Sequence, residues 1–357
     1  MTAIATEKAG TPVNLLTAAQ LPSAATPLML VGAFGVSFGL LALFGNAGWG
    51  SGLVLGAVLF LIVSFVVSGA VEGVRKAKDR LAKNLVAGAF IIALFPLVSL
   101  IWGTVSKGAA RFDPLFFNSS MRNIVGEGGG GVHAIWGTLI ITGLATLISV
   151  PIGVLTAIYL VEYGVKGRLA NSIRFFVDVM TGIPSIVAGL FAYTIFTLIF
   201  GPGTNNGISG AVALSVLMIP TIVRSTEEML RLVPNELREA SYALGVAKFR
   251  TILRVVLPTS LAGIVTGVVL GIARIIGETA PLLVTAGITA SMNVNPFKNP
   301  MPTLPVFVYY ENATPGADPT PYFERAWAGA LTLILIVMGL NLIGRIIAWK
   351  FSPKGGR

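Results

Sequence analysis

The sequence predicts an all-α, polytopic membrane protein of about eight transmembrane helices, on three observations. Of its 357 residues, 54% are apolar and only 11% charged, too few charges to clothe a water-soluble chain of this length. The charges cluster between apolar runs of about 18 residues or more, each long enough to cross a hydrocarbon core of roughly 30 Å as a helix. Lys and Arg are also spread unevenly among those clusters, as the positive-inside rule requires of a multi-pass chain.

In chain order, residues 1–27 lack the basic, apolar and small-residue succession of a cleaved signal peptide and are expected to form a cytoplasmic tail. Leu28–Gly45 and Leu53–Val71 read as a transmembrane hairpin (28–71), followed by a basic cytoplasmic loop at 72–84 with Arg75, Lys76, Lys78, Arg80 and Lys83. Further spans are expected at Leu85–Val105, Trp136–Val161, Phe175–Phe200, Ile208–Val223, Pro258–Ala286 and Ala326–Trp349, before a cytoplasmic tail at 351–357. Membrane helices tolerate the Pro and Gly inside several of these runs. With the N-terminus inside, the inner segments hold 19 of the 25 Lys and Arg, Lys8, Lys166, Lys354 and Arg357 among them. The outer segments hold Lys107, Arg111, Arg122, Lys298 and Arg325. This skew puts both termini in the cytoplasm and explains the net charge of +10 without a nucleic-acid partner.

With no cysteine, the chain has no disulfide, thiolate metal site or cysteine nucleophile. Its one histidine, His133, follows a glycine-rich stretch and reads as a solvated loop residue, with no second imidazole to share a metal. No phosphate-binding loop of the G-x-x-x-x-G-K-[ST] type occurs, and Gly126-Glu127-Gly128-Gly129-Gly130-Gly131 lacks its lysine. No metal and no cofactor are expected.

Two segments carry chemistry. The inner segment from Arg224 to Leu257 is rich in helix formers. Ser225-Thr226-Glu227-Glu228 reads as a helix start, Pro234 as a break, Asn235 as the cap of a second helix, and Gly245 as its end. Leu237, Ala240, Ser241 and Leu244 would form one stripe of that helix, which could lie on the interface or dock into a groove. The second segment is Ala273–Leu283, where Arg274 sits about 24 Å along a helix from Pro258. Arg274 and Glu278, four residues apart, would share a helix face. Charges at such depth need a partner or a polar cavity. The pair could neutralise itself, or the Arg274 fork could bind the oxygens of a permeating anion. Arg224 could equally snorkel to the inner interface, and Asp178 is expected to pair with Arg174.

These segments resemble the permease subunits of ATP-binding-cassette (ABC) importers. Glu239-Ala240-Ser241, with Gly245 and then Leu257-Pro258, resembles the EAA loop of that family, with Ser at the position where Ala is commoner. ARIIGETAPLL (Ala273–Leu283) resembles the ARxxGETAPLL segment of the PstA type in phosphate importers, and Asp178–Phe191, Pro220–Glu228 and Met301–Phe307 match further segments in the same order. The resemblance covers roughly residues 85–350.

It implies a type I importer permease core of six spans (85–350) behind an extra N-terminal hairpin, with a coupling loop at 225–257. By the same resemblance, Glu239, Ala240, Ser241 and Gly245 would seat against a cytoplasmic ATP-binding subunit dimer, and Arg224, Arg274 and Glu278 would lie on the path of inorganic phosphate. The implied partners are a homologous second permease subunit and an extracytoplasmic phosphate-binding protein, besides membrane lipid, in a bacterial plasma membrane. Glu278 would orient Arg274 or accept the proton of hydrogen phosphate, a proton that sulfate lacks at neutral pH. Still open are a permease for another oxyanion such as sulfate or phosphonate, an ATPase-independent transporter, and a membrane enzyme for which no nucleophile is evident.

Overall fold

The structure, a computed structural model, describes residues 20–44, 48–164 and 167–351, and every regular element among them is helical. Most of the expected N-terminal tail, residues 352–357 of the C-terminal one, and Lys8, Lys166, Lys354 and Arg357 lie outside the described residues. The chain divides into two compact units, between Ile101 and Trp102.

The first unit holds α1 (Ala25–Leu43), α2 (Trp49–Glu72) and most of α3 (Val74–Gly108). Its packing inverts that of a water-soluble protein. Small and polar residues meet between α1 and α2: Ser37 Oγ donates to the carbonyl of Gly52 at 2.8 Å, and the Phe34 ring lies over Gly56. Leu, Val, Ile and Phe point outward along all three helices, as expected where the surroundings are as apolar as the side chains. The expected loop at 72–84 is helical instead. Gly73, at φ +91°, makes the turn alone, and α3 starts at once.

The second unit contains α4 (Pro114–Asn118), α5 (Val132–Ile158, prolonged by a π-turn to Tyr163), α6 (Arg168–Thr181), α7 (Ser185–Phe200), α8 (Gly207–Arg231) and α9 (Asn235–Ala243). α10 (Lys248–Thr251) runs through a second π-turn into α11 (Leu257–Ile275), and α12 (Ala280–Thr285), α13 (Leu304–Ala313) and α14 (Thr320–Phe351) complete it. α8 is the central helix, its inner face packed with Leu214, Met218 and Ile222 against Ile141 and Ala145 of α5 and Ile275 of α11.

Seven helices among the described residues are long and apolar enough to cross a bilayer, and α6 with α7, bent by 109° at their junction, passes the same test only as a pair, a broken span or a re-entrant loop. The expected span Phe175–Phe200 is broken at Gly182-Ile183-Pro184, because proline disfavours the helical conformation in the residue before it. The expected span Pro258–Ala286 is likewise interrupted after Ile275. Pro281 has no N–H to bond Gly277, and its ring would meet that carbonyl. A third difference is at the end of α8, which runs on to Arg231, so Ser225–Glu228 starts no helix.

Candidate functional site

α11 packs antiparallel against α8 along Gly263, Gly267 and Gly271, one face at four-residue spacing. A methyl group on Gly263 or Gly267 would collide with Met229 or Ser225, so the glycines set the close approach of the two helices. The same face leads to Arg274 in the last turn of α11. Its Nη1 makes a long contact of 3.5 Å with Thr221 Oγ1 on α8, and the rest of its side chain is exposed. Arg224 lies three residues beyond Thr221 on the same face of α8.

Glu278 is not paired with Arg274. It lies in the break between α11 and α12, half-buried, and the shared helix face expected for the two charges ends at Ile275. Among the described residues, neither side chain has an ion-pair partner, which leaves a guanidinium and a carboxylate free near the seam. Such a fork can take two oxygens of an oxyanion, and such a carboxylate can accept a proton-bearing oxygen.

The other charges are partnered differently from expectation. Arg174 does not pair with Asp178; it reaches Glu227 Oε1 at 3.4 Å and the carbonyl of Leu160 at 2.9 Å. Asp178 instead pairs with Arg224, which also lies 3.5 Å from Glu227, and Arg231 reaches Glu227 at 2.6 Å. Glu227 is the cause: its side chain is 4% exposed, and a carboxylate so buried is stable only when surrounded by cations. Arg224 is thus tied to α6 rather than snorkelling free.

Two of the segments singled out in the sequence also meet. Gly189 of α7 faces Pro281 of α12 so closely that a Cβ there would stand 2.6 Å from the proline Cα. Farther along, the amide of Leu304 donates to Thr138 Oγ1 on α5 at 2.7 Å, docking the Met301–Phe307 segment on that helix.

α9, nine residues long, is not among the candidate spans. Glu239 and Ala240 are exposed, whereas Ser241 turns inward, its hydroxyl 2.8 Å from that of Thr251. Gly245, at φ +74°, closes the helix where a side chain would be strained, and the amide of Val246 returns to the carbonyl of Ser241 at 3.2 Å. Asn235 does not cap α9; its side-chain oxygen accepts from Arg238 at 3.3 Å. Leu237 and Leu244 are exposed, as are Leu232 before α9 and Phe249 and Leu253 after it. Exposed apolar residues gathered in this way suit a surface that meets lipid or another protein.

Arg238, expected only as one of the charges flanking the apolar stripe, anchors α9. Its guanidinium donates to Glu162 Oε1 at 3.1 and 2.9 Å, and to the carbonyls of Leu230 at 2.9 Å and Val233 at 2.6 Å. Glu162 lies in the π-turn that prolongs α5, and the carbonyls lie at and just beyond the end of α8, so one side chain joins α9 to two long helices. Lys248 adds a bond to the carbonyl of Glu162 and lies over the Tyr163 ring. The only signal in the sequence was a basic residue three positions into a short helix.

At the opposite end of α5, His133 is buried in its first turn against Phe307, not solvated in a loop. Arg325 is also buried: it holds Glu311 at 2.7 Å and the carbonyls of Gly126 and Gly128 at 2.6 and 3.1 Å. The glycine-rich stretch is thereby fixed to α13 and α14.

Against known proteins, residues 149–354 match the family described as binding-protein-dependent transport system inner membrane component. The chain is 44% identical over 283 residues to the phosphate transport system permease protein PstA 1 of Mycobacterium tuberculosis (strain ATCC 25618 / H37Rv), covering 78% of this chain and 90% of that protein. It is 39% identical over 276 residues to the phosphate transport system permease protein PstA of Yersinia pestis, covering 77% and 92%. Among solved structures, a chain of the methionine ABC transporter MetNI in an inward facing conformation aligns over 62% of this chain and 95% of that one. The TM-score is 0.50 and the identity 22%, a likeness of fold.

Proposed function

We infer that this chain, which belongs to the family of binding-protein-dependent transport system inner membrane components, is the PstA-type permease subunit of an ATP-driven importer of inorganic phosphate. It is a multi-pass membrane protein and a transport component rather than an enzyme. The observation that carries the reading is the seam of α8 and α11, where Arg274 stands without a carboxylate partner in a chain 44% identical to a phosphate permease.

In this reading the exposed face of that seam meets a homologous second permease, and phosphate passes between the two. Arg274 supplies the positive charge, Glu278 accepts the proton of hydrogen phosphate, and Arg224 holds the inner end of the path, where its pairing with Asp178 ties α8 to α6. A cytoplasmic ATP-binding subunit dimer seats on α9 against Glu239, Ala240 and the apolar patch of Leu237 and Leu244, while Ser241 and Gly245 shape the helix from within. Its closure moves α9, and Arg238 passes the movement to the ends of α5 and α8. An extracytoplasmic phosphate-binding protein delivers substrate to segments 106–135 and 287–325. Both termini lie in the cytoplasm, with the six-span core at 85–350 and the hairpin at 28–71 outside it.

The test is co-purification followed by transport. The tagged chain, gently extracted, should bring down an ATPase and a second permease, and the reconstituted complex should take up phosphate only with ATP. Uptake by this chain alone, without nucleotide, would refute the reading.

A further inference from the structure

The amino-terminal unit carries a feature that phosphate import leaves unused. α3 is 35 residues long, about 52 Å at 1.5 Å per residue, against a hydrocarbon core of roughly 30 Å. Its charge-free stretch from Leu85 to Val105, about 31 Å, fills that core by itself. The turns before it, carrying Arg75, Lys76, Lys78, Asp79, Arg80 and Lys83, therefore stand about 16 Å proud of the apolar layer, at the depth of lipid headgroups.

A cavity of about 640 Å³ opens at that depth, between these turns, the end of α2 and the start of α1. Lys76, Arg80 and Lys83 line it from one face of α3, at four- and three-residue spacing. Glu72 and Asp79 also line it. Glu72 is spent internally: it accepts from Ser68 at 2.7 Å, from the amide of Leu21 at 2.9 Å and from Arg80 at 2.7 Å, and Arg80 also reaches Thr26 at 2.9 Å. These bonds fix the wall. Among the described residues, Lys76 and Lys83 have no side-chain partner, so two ammonium groups face the cavity against the single carboxylate of Asp79.

We propose that this cavity binds a phosphate-bearing anion, and that its occupant is the headgroup of an anionic phospholipid. Lysines at an interface attract anionic lipid, and the outward-facing Leu, Val and Ile of α1, α2 and α3 supply the apolar surface along which the acyl chains run. The five basic residues of this turn place the site in the inner leaflet by the positive-inside rule. A free phosphate ion could meet the same lysines but would gain nothing from the apolar surface below them.

The test is native mass spectrometry of the purified transporter titrated with phosphatidylglycerol, phosphatidylcholine or inorganic phosphate. Phosphatidylglycerol is expected to bind to wild type, with roughly tenfold or greater loss of apparent affinity in Lys76→Gln/Lys83→Gln, given two interfacial cations removed. Lys76→Arg/Lys83→Arg, which keeps the charge, is expected to retain the lipid and guards against a misfolded Gln variant. Equal binding of phosphatidylglycerol to wild type and to a correctly assembled Gln variant would overturn the proposal. So would equal binding of phosphatidylcholine, or displacement of the lipid by equimolar inorganic phosphate.

Discussion

Arg238 of α9 and Glu162 at the end of α5 are joined by two hydrogen bonds, 3.1 and 2.9 Å, with the Glu162 side chain 5% exposed. Because the same guanidinium bonds the carbonyl of Leu230 in the last turn of α8 and that of Val233 just beyond it, it ties α9 to the ends of α5 and α8. Removing one member of so buried a pair typically costs about 3–5 kcal/mol, since the other charge is left unpaired. Arg238→Ala is expected to cut phosphate uptake by tenfold or more while ATP hydrolysis continues. Arg238→Lys should not rescue it, because an ammonium cannot span Glu162 and two carbonyls as the planar fork does. Paired ATPase and uptake rates on one reconstituted sample check this; a parallel fall in both would place the defect in assembly instead.

The exposed leucines of α9 give a separate prediction. Leu244 is 83% exposed and touches little of its own chain, so Leu244→Asp should leave the folded subunit intact. It should nevertheless abolish capture of the ATPase subunit. Pull-down from membranes with matched expression reads this directly, and undiminished capture would remove α9 from the interface.

Arg274→Gln is expected to lower phosphate uptake by about a hundredfold, the loss of roughly 2.7 kcal/mol of charge-assisted binding. Arg274→Lys should keep part of the rate, since the charge remains but the fork is gone. Because the Arg274 side chain is exposed and, among the described residues, hydrogen-bonds only Thr221 at 3.5 Å, thermal stability should hardly change. A large stability loss with residual uptake would make it a structural residue.

Glu278→Gln tests selectivity. If the carboxylate accepts the proton of hydrogen phosphate, the variant should lose phosphate uptake and narrow the preference for phosphate over sulfate. Unchanged rates for both anions would sink that role. The absence of an Arg274–Glu278 ion pair means that the variant should not disturb Arg274.

At Gly189, a larger residue must displace Pro281. Gly189→Val is expected to cost about 1–3 kcal/mol by overpacking and to reduce the yield of assembled protein. Normal yield and normal transport would show that α7 and α12 separate more freely than their contact implies.

The membrane class was legible in the sequence because hydropathy and the placement of Lys and Arg act over whole segments, and the helices at α1, α2, α5 and α14 came out close to expectation. What was not legible depends on single residues. Pro184 and Pro281 each sit inside an apolar run, where proline can either kink or end a helix, and only packing decides which. At both, the helix ends. This moved Glu278 off the face of Arg274. Partner choice among charges was equally hidden. Arg174, Asp178, Arg224 and Glu227 contain plausible pairs at helical spacing, but the burial of Glu227 drew Arg174 and Arg224 towards it. The anchoring role of Arg238 was hidden because its partner is 76 residues away.

The central claim is tested most directly by radiolabelled phosphate uptake into vesicles holding the assembled complex, with ATP supplied on the side of the ATPase. The account predicts ATP-dependent accumulation that falls about a hundredfold in Arg274→Gln at equal complex content. Accumulation that is independent of ATP, or equal in wild type and Arg274→Gln, would contradict it.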